Sequence, residues 1–382
     1  MDKHISNDNP WWESDWLNEL KFARNSILTA LLGTVSSADA VLLSGTRGVG
    51  KTVLLKQLAH QIISSKHIDS KTILYLNLEN ICYLEWTLYE LLIKFKQINK
   101  LAKDDRVVVI LDEIGSSSKR INELVELRQV KGVKVYFSSS YEIDTRILGN
   151  KIKRYQLMPL DFYEYLELRG IELSNKTMHL LDEYFQEYMN SGGMPGCVGQ
   201  GQDGYAALVD KIITGDVVAR YGLKDMDMVK GFFLGLIENA GKDYSINDLA
   251  KQFGISPDTA KRYLNYFQEV YLIDLVEKWS PKSSFRSAKK IYLRDLGLYN
   301  LSSRRVLDQV LFDNYIYLQL KGATPKFVKE DDLDLGLLIK GDYLVKANYG
   351  GVEDEYLSKV IMRTPFKEKV VVSDYKGFQK IL

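Results

Sequence analysis

An eight-residue pattern near position 50 constrains the fold of this 382-residue chain more than any other feature. Residues 45–52 read Gly-Thr-Arg-Gly-Val-Gly-Lys-Thr, which fits the phosphate-loop pattern G-x-x-x-x-G-K-[ST]. The apolar run Ala40–Ser44 before it predicts a buried strand, and Val53–His60 after it predicts a helix with one apolar face. This order gathers backbone N–H groups and a helix N-terminus around one point, where they favour an anion.

The residues of this loop have separate predicted roles. We expect Lys51 to reach the β- and γ-phosphates of a nucleotide and the Thr52 hydroxyl to hold Mg²⁺. The other positions predicted to line the phosphate site are Gly45, Thr46, Arg47, Gly48, Val49 and Gly50. The alternative interpretation is a glycine turn between strand and helix that holds no ligand.

Composition excludes several classes of protein. A hydrophobic content of 46% with 26% charged residues is typical of a globular chain, and its length predicts two to four domains. The net charge of +1 gives no overall attraction to nucleic acid or membranes. Cys82 and Cys197 lack metal-ligand spacing, and the four histidines are scattered, which argues against a structural zinc or His-based catalysis. Without a signal peptide or a long apolar segment, the chain is predicted to be cytoplasmic, with no membrane partner.

Strands and helices alternate in the first 160 residues, which predicts an α/β fold with a parallel sheet. Before the loop, a helix is predicted over Ser14–Gly33. After it, the predicted elements are a strand over Thr72–Leu78, a helix over 83–99, a strand over Arg106–Leu111 and a strand over Val133–Phe137.

A carboxylate pair follows the most apolar of these strands. Asp112 stands at the carboxyl end of the strand, where ligands bind in open α/β sheets, and is predicted to hold Mg²⁺. Glu113 is predicted to act as the general base for the attacking water. The alternative is that the pair only begins a solvated loop. One of Ser138, Ser139 and Ser140 is predicted to contact the γ-phosphate or position the water, and Ser139 is taken as the candidate; the alternative is a simple turn.

Taken together, these motifs resemble bacterial and archaeal AAA+-type ATPases that carry a winged-helix segment and a C-terminal domain of restriction-endonuclease-like fold. The resemblance covers nearly the whole chain and runs through residues 44–52, Tyr75–Glu79, Ile110–Ile114, Leu157–Leu166, Gly192–Pro195 and Thr259–Leu264. It implies binding of ATP with Mg²⁺ and hydrolysis. It also implies four domains: an ATPase core over 1–160, a helical lid over 161–225, a winged helix over 226–300 and a degenerate endonuclease-like domain over 301–382.

One departure from the family concerns an arginine. The family usually has Gly-Arg before the Pro-Leu-x-x-Phe segment, and that arginine is a candidate phosphate or intersubunit contact. Here the pair is Gly149-Asn150, with Arg146, Lys151 and Arg154 nearby as replacements. The departure weakens the prediction of hydrolysis and of a homo-oligomer that shares sites between subunits.

Residues 226–300 follow the pattern of a helix-turn-helix and a hairpin. Ser245–Phe253 predicts a capped helix, Gly254–Ser256 a turn, and Pro257–Val270 a second helix, followed by two strands. Basic residues concentrate here, and the candidate DNA contacts are Lys261, Arg262, Lys282, Arg286, Lys289 and Lys290. Winged helices also bind proteins, so a DNA partner and a protein partner both remain open.

The C-terminal segment resembles a nuclease domain with an incomplete site. Asp334 fits the first carboxylate position of such domains and Lys346 fits the lysine, but Leu344 stands where a glutamate is expected. A leucine cannot bind a metal ion, which argues against phosphodiester cleavage.

The main prediction is therefore a Mg²⁺-dependent ATPase whose nucleotide state moves its C-terminal modules. The alternatives are a slow-turnover ATP switch that regulates DNA or a protein, and an active DNA-processing nuclease.

Overall fold

The structure is a computed structural model, and it describes residues 1–13, 22–37, 40–115, 118–144, 146–149, 151–175, 177–280, 288–330, 332–351 and 354–378. The chain divides into two compact units, Met1–Met158 and Pro159–Leu382. No helix among these residues is long and apolar enough to cross a bilayer.

The first unit is an α/β domain with a five-stranded parallel sheet of order β2-β3-β4-β1-β5. Its elements are α1 (Asp2–Asp8), α2 (Asn25–Leu32), β1 (Ala40–Ser44), α3 (Lys51–Lys66), β2 (Ile73–Asn77), α4 (Leu88–Ile98), β3 (Val107–Asp112), α5 (Ser118–Leu127), β4 (Val133–Ser139) and β5 (Ile152–Gln156). The parallel α/β fold predicted from the sequence is therefore confirmed for this unit.

Burial explains why these segments form strands. Every residue of β3 is buried, as expected for a central strand covered on both faces. Val109 and Phe137 of neighbouring strands pack in one cluster with Leu91 and Phe95 of α4 and Leu124 of α5. The parallel arrangement brings the carboxyl ends of β1, β3 and β4 to the same edge of the sheet.

Two predicted helices have different bounds in the structure. The helix predicted over Ser14–Gly33 appears as α2, which begins only at Asn25, and residues 14–21 lie outside the described part of the chain. The helix predicted over 83–99 begins at Leu88, because Thr87 and Glu90 form a capping box that fixes its start.

Among its described residues, the second unit contains two smaller sheets, ten α-helices and one π-helical segment. Its elements are α6 (Phe162–Leu168), α7 (Leu181–Ser191), α8 (Gly201–Lys211), a π-helical segment Ile212–Val218, α9 (Ala219–Tyr221), α10 (Met226–Asn239), β6 (Asp243–Tyr244), α11 (Ile246–Phe253), α12 (Pro257–Glu269), β7 (Ile273–Glu277), β8 (Lys289–Leu293), α13 (Asp308–Leu320), β9 (Lys326–Glu330), β10 (Leu333–Ile339), β11 (Tyr343–Ala347), α14 (Glu355–Arg363), β12 (Glu368–Val372) and α15 (Tyr375–Phe378).

The two sheets of this unit are formed by different parts of the chain. The three-stranded antiparallel sheet has the order β6-β8-β7, and the four-stranded sheet has the order β12-β11-β10-β9. In the second, β9, β10 and β11 are antiparallel, and β12 returns parallel to β11 after α14. Helices α11 and α12 begin at the caps Ser245 and Ser256, as the sequence predicted.

A buried carboxylate fixes the glycine-rich segment after α7. Asp295 accepts hydrogen bonds from the backbone N–H of Gly193 (2.7 Å), that of Gly297 (2.9 Å) and the Tyr205 hydroxyl (2.5 Å). Burial raises the pKa of the Asp295 carboxyl to about 6, although these hydrogen bonds act in the opposite direction. A Cβ at position 192 would lie 2.4 Å from an Asp295 carboxylate oxygen, which explains why glycine is needed there.

We expect Gly193→Ala to lower the free energy of unfolding by about 3 kcal/mol, because overpacking against rigid backbone has no easy relief. A Cβ at position 193 would lie 2.3 Å from the carbonyl oxygen of Leu160. The matched control is Gly196→Ala, since a Cβ there meets no atom within 4 Å. Urea unfolding followed by circular dichroism measures both, and equal midpoints for the two variants would contradict the packing argument.

Candidate functional site

The loop between β1 and α3 has the tight geometry that its glycines predict. Gly45 has a φ of +153° and lies so close to the last residues of the unit that a Cβ would stand 2.4 Å from the Leu157 carbonyl oxygen. The backbone N–H of Leu157 also donates to the Ser44 carbonyl oxygen (2.7 Å). Only glycine fits at position 45, so the loop is held against the chain that follows β5.

The ammonium of Lys51 lies inside this loop. It donates hydrogen bonds to the carbonyl oxygens of Gly45 (2.9 Å) and Thr46 (3.1 Å) and to the Ser140 hydroxyl (2.8 Å). It also forms an ion pair with a Glu113 carboxylate oxygen at 3.0 Å, and the Lys51 side chain is only 3% exposed. All of these partners are oxygen atoms, and the oxygen atoms of a phosphate group could replace them.

Asp112 accepts hydrogen bonds from three hydroxyl groups, which belong to three other elements. One carboxylate oxygen accepts from Thr52 (2.6 Å) and from Tyr75 (2.7 Å), and the other accepts from Ser138 (2.5 Å). The structure therefore brings together the two residues that the sequence predicts as Mg²⁺ ligands, Thr52 and Asp112.

The oxygen atoms of Thr52 and Asp112 suit a hard divalent cation such as Mg²⁺. Hydroxyl and carboxylate oxygens are ligands that Mg²⁺ accepts, and it usually keeps waters and substrate phosphates as its remaining ligands. Among the described residues no group of three or more His, Cys, Asp or Glu side chains forms a metal site. A metal ion here would accordingly depend on phosphate oxygens and water as well as on Thr52 and Asp112.

The loop also contains a polar atom that is left without a partner. The hydroxyl oxygen of Thr46 is buried and has no hydrogen-bond partner among the described residues. Buried polar atoms are nearly always paired in folded proteins. An orphan hydroxyl in a phosphate-type loop fits a ligand oxygen.

Tyr75 is a site residue that the sequence analysis did not select. It is buried on β2, next to β3, and burial together with the nearby Asp112 carboxylate raises its pKa, so it stays protonated and donates. The signal available in the sequence was a tyrosine among the aliphatic residues Ile73, Leu74 and Leu76.

Glu113 adopts an unusual backbone conformation that directs its side chain toward the loop. Its φ is +52°, in the left-handed region that costs a non-glycine residue about 1 kcal/mol. Its backbone N–H donates to Ser138 (2.8 Å), and its carboxylate accepts from the backbone N–H (3.0 Å) and the hydroxyl (2.5 Å) of Ser140. The carboxylate is thereby placed between Ser140 and Lys51.

The three serines after β4 have different partners. Ser138 contacts Asp112, and Ser140 contacts both Lys51 and Glu113. The Ser139 hydroxyl instead donates to the Tyr141 carbonyl oxygen at 2.7 Å and accepts from the Tyr141 N–H. Ser139, the serine taken as the candidate from the sequence, therefore does not contact Lys51. Side chains alternate along the strand, so that of Ser139 points away from Lys51.

We expect Ser140→Ala to lower ATP turnover about 10- to 100-fold, because it removes hydrogen bonds to two charged groups. Ser139→Ala is the matched control and should stay within about threefold of wild type, since its hydroxyl bonds only to the backbone of the next turn. Steady-state phosphate release measures both variants, and a larger loss for Ser139→Ala would contradict this assignment.

The candidate DNA contacts are distributed over very different environments. Lys261 and Arg262 lie exposed on α12, and Lys289 is half-buried on β8. Lys282 and Arg286 lie outside the described residues. The exposed positions of Lys261 and Arg262 are compatible with the predicted DNA contact.

The structure contradicts the prediction that Lys290 contacts DNA. It is 3% exposed and forms ion pairs with Asp313 and Asp334, so it is removed from the set of candidate DNA contacts. The prediction was wrong because a run of basic residues does not reveal which of them face inward.

The residues considered as replacements for the family's arginine do not meet the loop. Arg146 is exposed and pairs with Asp144 at 2.7 Å. Lys151 is exposed just before β5, and Arg154 is exposed within it. Asn150 lies outside the described residues.

Comparisons with known proteins agree with the fold class predicted for the first unit. Residues 37–166 match the family described as AAA domain, and residues 182–306 match a family described as a domain of unknown function. The AAA match supports a P-loop ATPase of the AAA+ class for the part of the chain that carries the loop, Asp112 and Glu113.

Two relatives extend along most of the chain. An uncharacterized protein of Methanocaldococcus jannaschii is 26% identical over 88% of this chain and 82% of its own length. An uncharacterized protein of Haemophilus influenzae is 24% identical over 74% of each.

Solved structures resemble the chain more distantly. A Signal Transduction ATPase with Numerous Domains (STAND) protein with a tetratricopeptide repeat sensor from Pyrococcus horikoshii has a TM-score of 0.34 and 15% identity. That match covers 80% of this chain but only 46% of the other, so the chain spans less than half of that protein. PCH-2 of C. elegans has a TM-score of 0.29 and 22% identity, over 45% of this chain and 51% of the other. No functional assignment rests on values this low.

Proposed function

We propose that the chain binds ATP with Mg²⁺ at the loop of residues 45–52 and hydrolyses it. The observation that carries this proposal is the convergence of Lys51, Glu113 and Ser140 at one edge of the sheet, next to the Thr52–Asp112 pair. A phosphate-type loop, a hydroxyl–carboxylate pair and a second carboxylate are the groups that phosphoryl transfer to water needs.

Each residue has a distinct part in the proposed reaction. The Lys51 ammonium exchanges its present oxygen partners for phosphate oxygens, and Thr52 and Asp112 hold the metal ion. Mg²⁺, when bound, neutralises charge on the phosphate oxygens. Glu113 accepts a proton from water on a carboxylate oxygen as the water oxygen attacks the γ-phosphorus and the bond to ADP breaks.

Ser138, Ser140 and Tyr75 act as positioning residues in this proposal. Tyr75 and Ser138 fix the rotamer of Asp112, and Ser140 fixes Glu113 relative to Lys51. Such supporting hydrogen bonds hold catalytic groups near their working geometry.

Isothermal titration calorimetry with ATP, with and without Mg²⁺, tests the proposal at the level of binding. We expect a one-to-one isotherm that Mg²⁺ strengthens, together with Mg²⁺-dependent phosphate release. No heat of ATP binding at protein concentrations of about 100 μM would overturn it.

A second candidate is a nucleotide switch with slow turnover. It is favoured by the present contacts of Glu113, whose carboxylate already accepts from Lys51 and Ser140 and is therefore partly occupied before it acts on water. Comparing a single turnover with the steady-state rate separates the candidates: a switch shows tight ATP binding and almost no rate in either experiment.

The second unit is proposed to report the nucleotide state to a partner. The order α10-β6-α11-α12-β7-β8 supports a winged helix, and α13-β9-β10-β11-α14-β12 supports an endonuclease-like domain. Residues 161–225 would then form the helical lid. Lys261 and Arg262 on α12 are the proposed DNA contacts, and titrating a short duplex at two salt concentrations tests for phosphate contacts.

The endonuclease-like fold implies a divalent metal, but the residues present do not fit one. Leu344 is buried in the apolar cluster of the four-stranded sheet with Val328 and Leu338. The remaining carboxylates at that position are already paired with lysines. We therefore assign no cleavage step to this domain.

A further inference from the structure

Three elements that are far apart in the sequence meet at one charged cluster in the second unit. The ammonium of Lys290 on β8 lies 2.9 Å from a carboxylate oxygen of Asp313 on α13 and 2.6 Å from one of Asp334 on β10. The Lys290 side chain is 3% exposed, and that of Asp313 is 13% exposed. Two carboxylates from different elements thus share one buried cation.

The cluster is electrically balanced by its own lysines. Lys346 on β11 donates to the Asp334 carbonyl oxygen at 2.7 Å, and its ammonium lies 3.9 Å from the carboxylate. Two lysines face two aspartates, so a divalent ion would add two positive charges to a neutral group. Burying uncompensated charge is costly, which disfavours a metal ion while Lys290 is in place.

Aromatic packing holds Lys290 at this point. Alternation along β8 puts Lys290 and Tyr292 on the same face, with the ammonium 5.1 Å from the centre of the Tyr292 ring. The Tyr292 hydroxyl donates to Asp313 at 3.1 Å, and its ring stacks on Tyr317 with centroids 4.1 Å apart.

Backbone contacts bind the same hairpin to the C-terminal elements. The Asn314 side chain pairs with both the N–H (2.9 Å) and the carbonyl oxygen (2.8 Å) of Leu293 on β8. After β7, the Trp279 N–H donates to the carbonyl oxygen of Phe327 on β9 at 2.7 Å. The hairpin β7–β8 is therefore fixed to α13 and β9 on both of its strands.

We propose that the ammonium of Lys290 takes the place of a divalent cation between Asp313 and Asp334, so that this carboxylate pair is a metal-free clamp joining the β7–β8 hairpin to α13 and β10. The cluster is then a structural joint rather than a cleavage site. This inference concerns the second unit alone and does not depend on the proposed ATP chemistry.

The protonation states agree with a permanent clamp. Burial acts to lower the pKa of Lys290, but Asp313, Tyr292 and Asp334 outweigh it and hold that pKa well above its usual value. Burial likewise opposes ionisation of Asp334, yet Lys290 and Lys346 keep the pKa of its carboxyl below the usual value. Both groups stay charged at neutral pH.

Metal rescue of Lys290→Ala tests the clamp in the full-length protein without nucleotide. Removing the ammonium leaves two facing carboxylates, and we expect the thermal midpoint of the second unit to fall by about 10 °C. Millimolar Mn²⁺ should restore at least half of that loss. The same Mn²⁺ should leave the midpoint of Lys290→Ala/Asp334→Asn unchanged, because one of the carboxylates is then gone.

Lys289→Ala is the matched control, since it removes the neighbouring lysine of the same strand. Its midpoint should stay within about 2 °C of wild type with no response to Mn²⁺. A folded Lys290→Ala protein that Mn²⁺ does not stabilise beyond this control would overturn the proposal.

A second measurement keeps the test decisive if Lys290→Ala does not fold. Calorimetric titration of Mn²⁺ into nucleotide-free wild type and Asp334→Asn should give the same isotherm. A binding event present in the wild type and lost in Asp334→Asn would overturn the proposal, because it would place a metal ion at the carboxylates with Lys290 still present.

Discussion

The variant Glu113→Gln is expected to hydrolyse ATP about 100- to 1000-fold more slowly than wild type while its ATP affinity stays within a few-fold. Glutamine keeps the size of the side chain and one oxygen acceptor for Ser140, but it cannot take a proton from water. We expect its affinity for ATP to be preserved, because the substitution removes only the ion pair between Glu113 and Lys51 and leaves the Lys51 ammonium available to a phosphate. Single-turnover hydrolysis and calorimetry measure the two quantities separately.

The matched control for this variant is Glu142→Gln, at an exposed glutamate a short distance along the chain. It should hydrolyse ATP at the wild-type rate. A Glu113→Gln protein with the wild-type rate would exclude Glu113 as the general base. A wild-type protein that binds ATP but has no rate to lose would favour the slow switch instead.

The second large effect is expected for Lys51→Ala, which should weaken ATP binding by about 100-fold or more. Truncating one partner of a buried, hydrogen-bonded charge pair costs about 2–5 kcal/mol. Here the loss also removes the only described ammonium that lies inside the phosphate-type loop. Calorimetry with ATP and Mg²⁺ gives the dissociation constant directly.

Lys66→Ala provides the comparison, because Lys66 is an exposed lysine at the far end of the same helix, α3. It should bind ATP as the wild type does. Equal affinities for Lys51→Ala and Lys66→Ala would contradict the assignment of the loop as the phosphate site. Circular dichroism of both variants shows whether α3 is intact.

The sheet of the first unit was largely predictable, because its central strands are continuous apolar runs. β1 and β3 lie where such runs occur in the sequence. β5 was not anticipated, since Ile152–Gln156 is an edge strand whose residues are half-buried or exposed and which lacks an apolar pattern. Edge strands owe their position to a neighbour's backbone more than to their own side chains.

The contacts of the candidate site were predictable where they follow from the position of a residue at the end of its strand. They were not predictable where they depend on how neighbouring strands are aligned. The loop motif and the position of Asp112 at the carboxyl end of β3 were enough to expect the Thr52–Asp112 contact. Tyr75 and Ser140 reach the site from neighbouring strands, and their contacts depend on which side chain of each strand end faces the loop. Sequence spacing within one strand does not contain that information.

The same limit explains Lys290. Its partners Asp313 and Asp334 come later in the chain and on other elements, so a count of basic residues treats it as surface charge. Only the packing of β8 against α13 and β10 turns it inward.

The approach of Gly45 to Leu157 has a mechanical consequence. The chain leaves the first unit at Met158, one residue after the backbone atoms that touch the loop. Because glycine has no side chain, the main chain of the loop contacts the main chain of Leu157 directly there, and a substitution at position 45 is expected to displace the segment that leads out of the first unit.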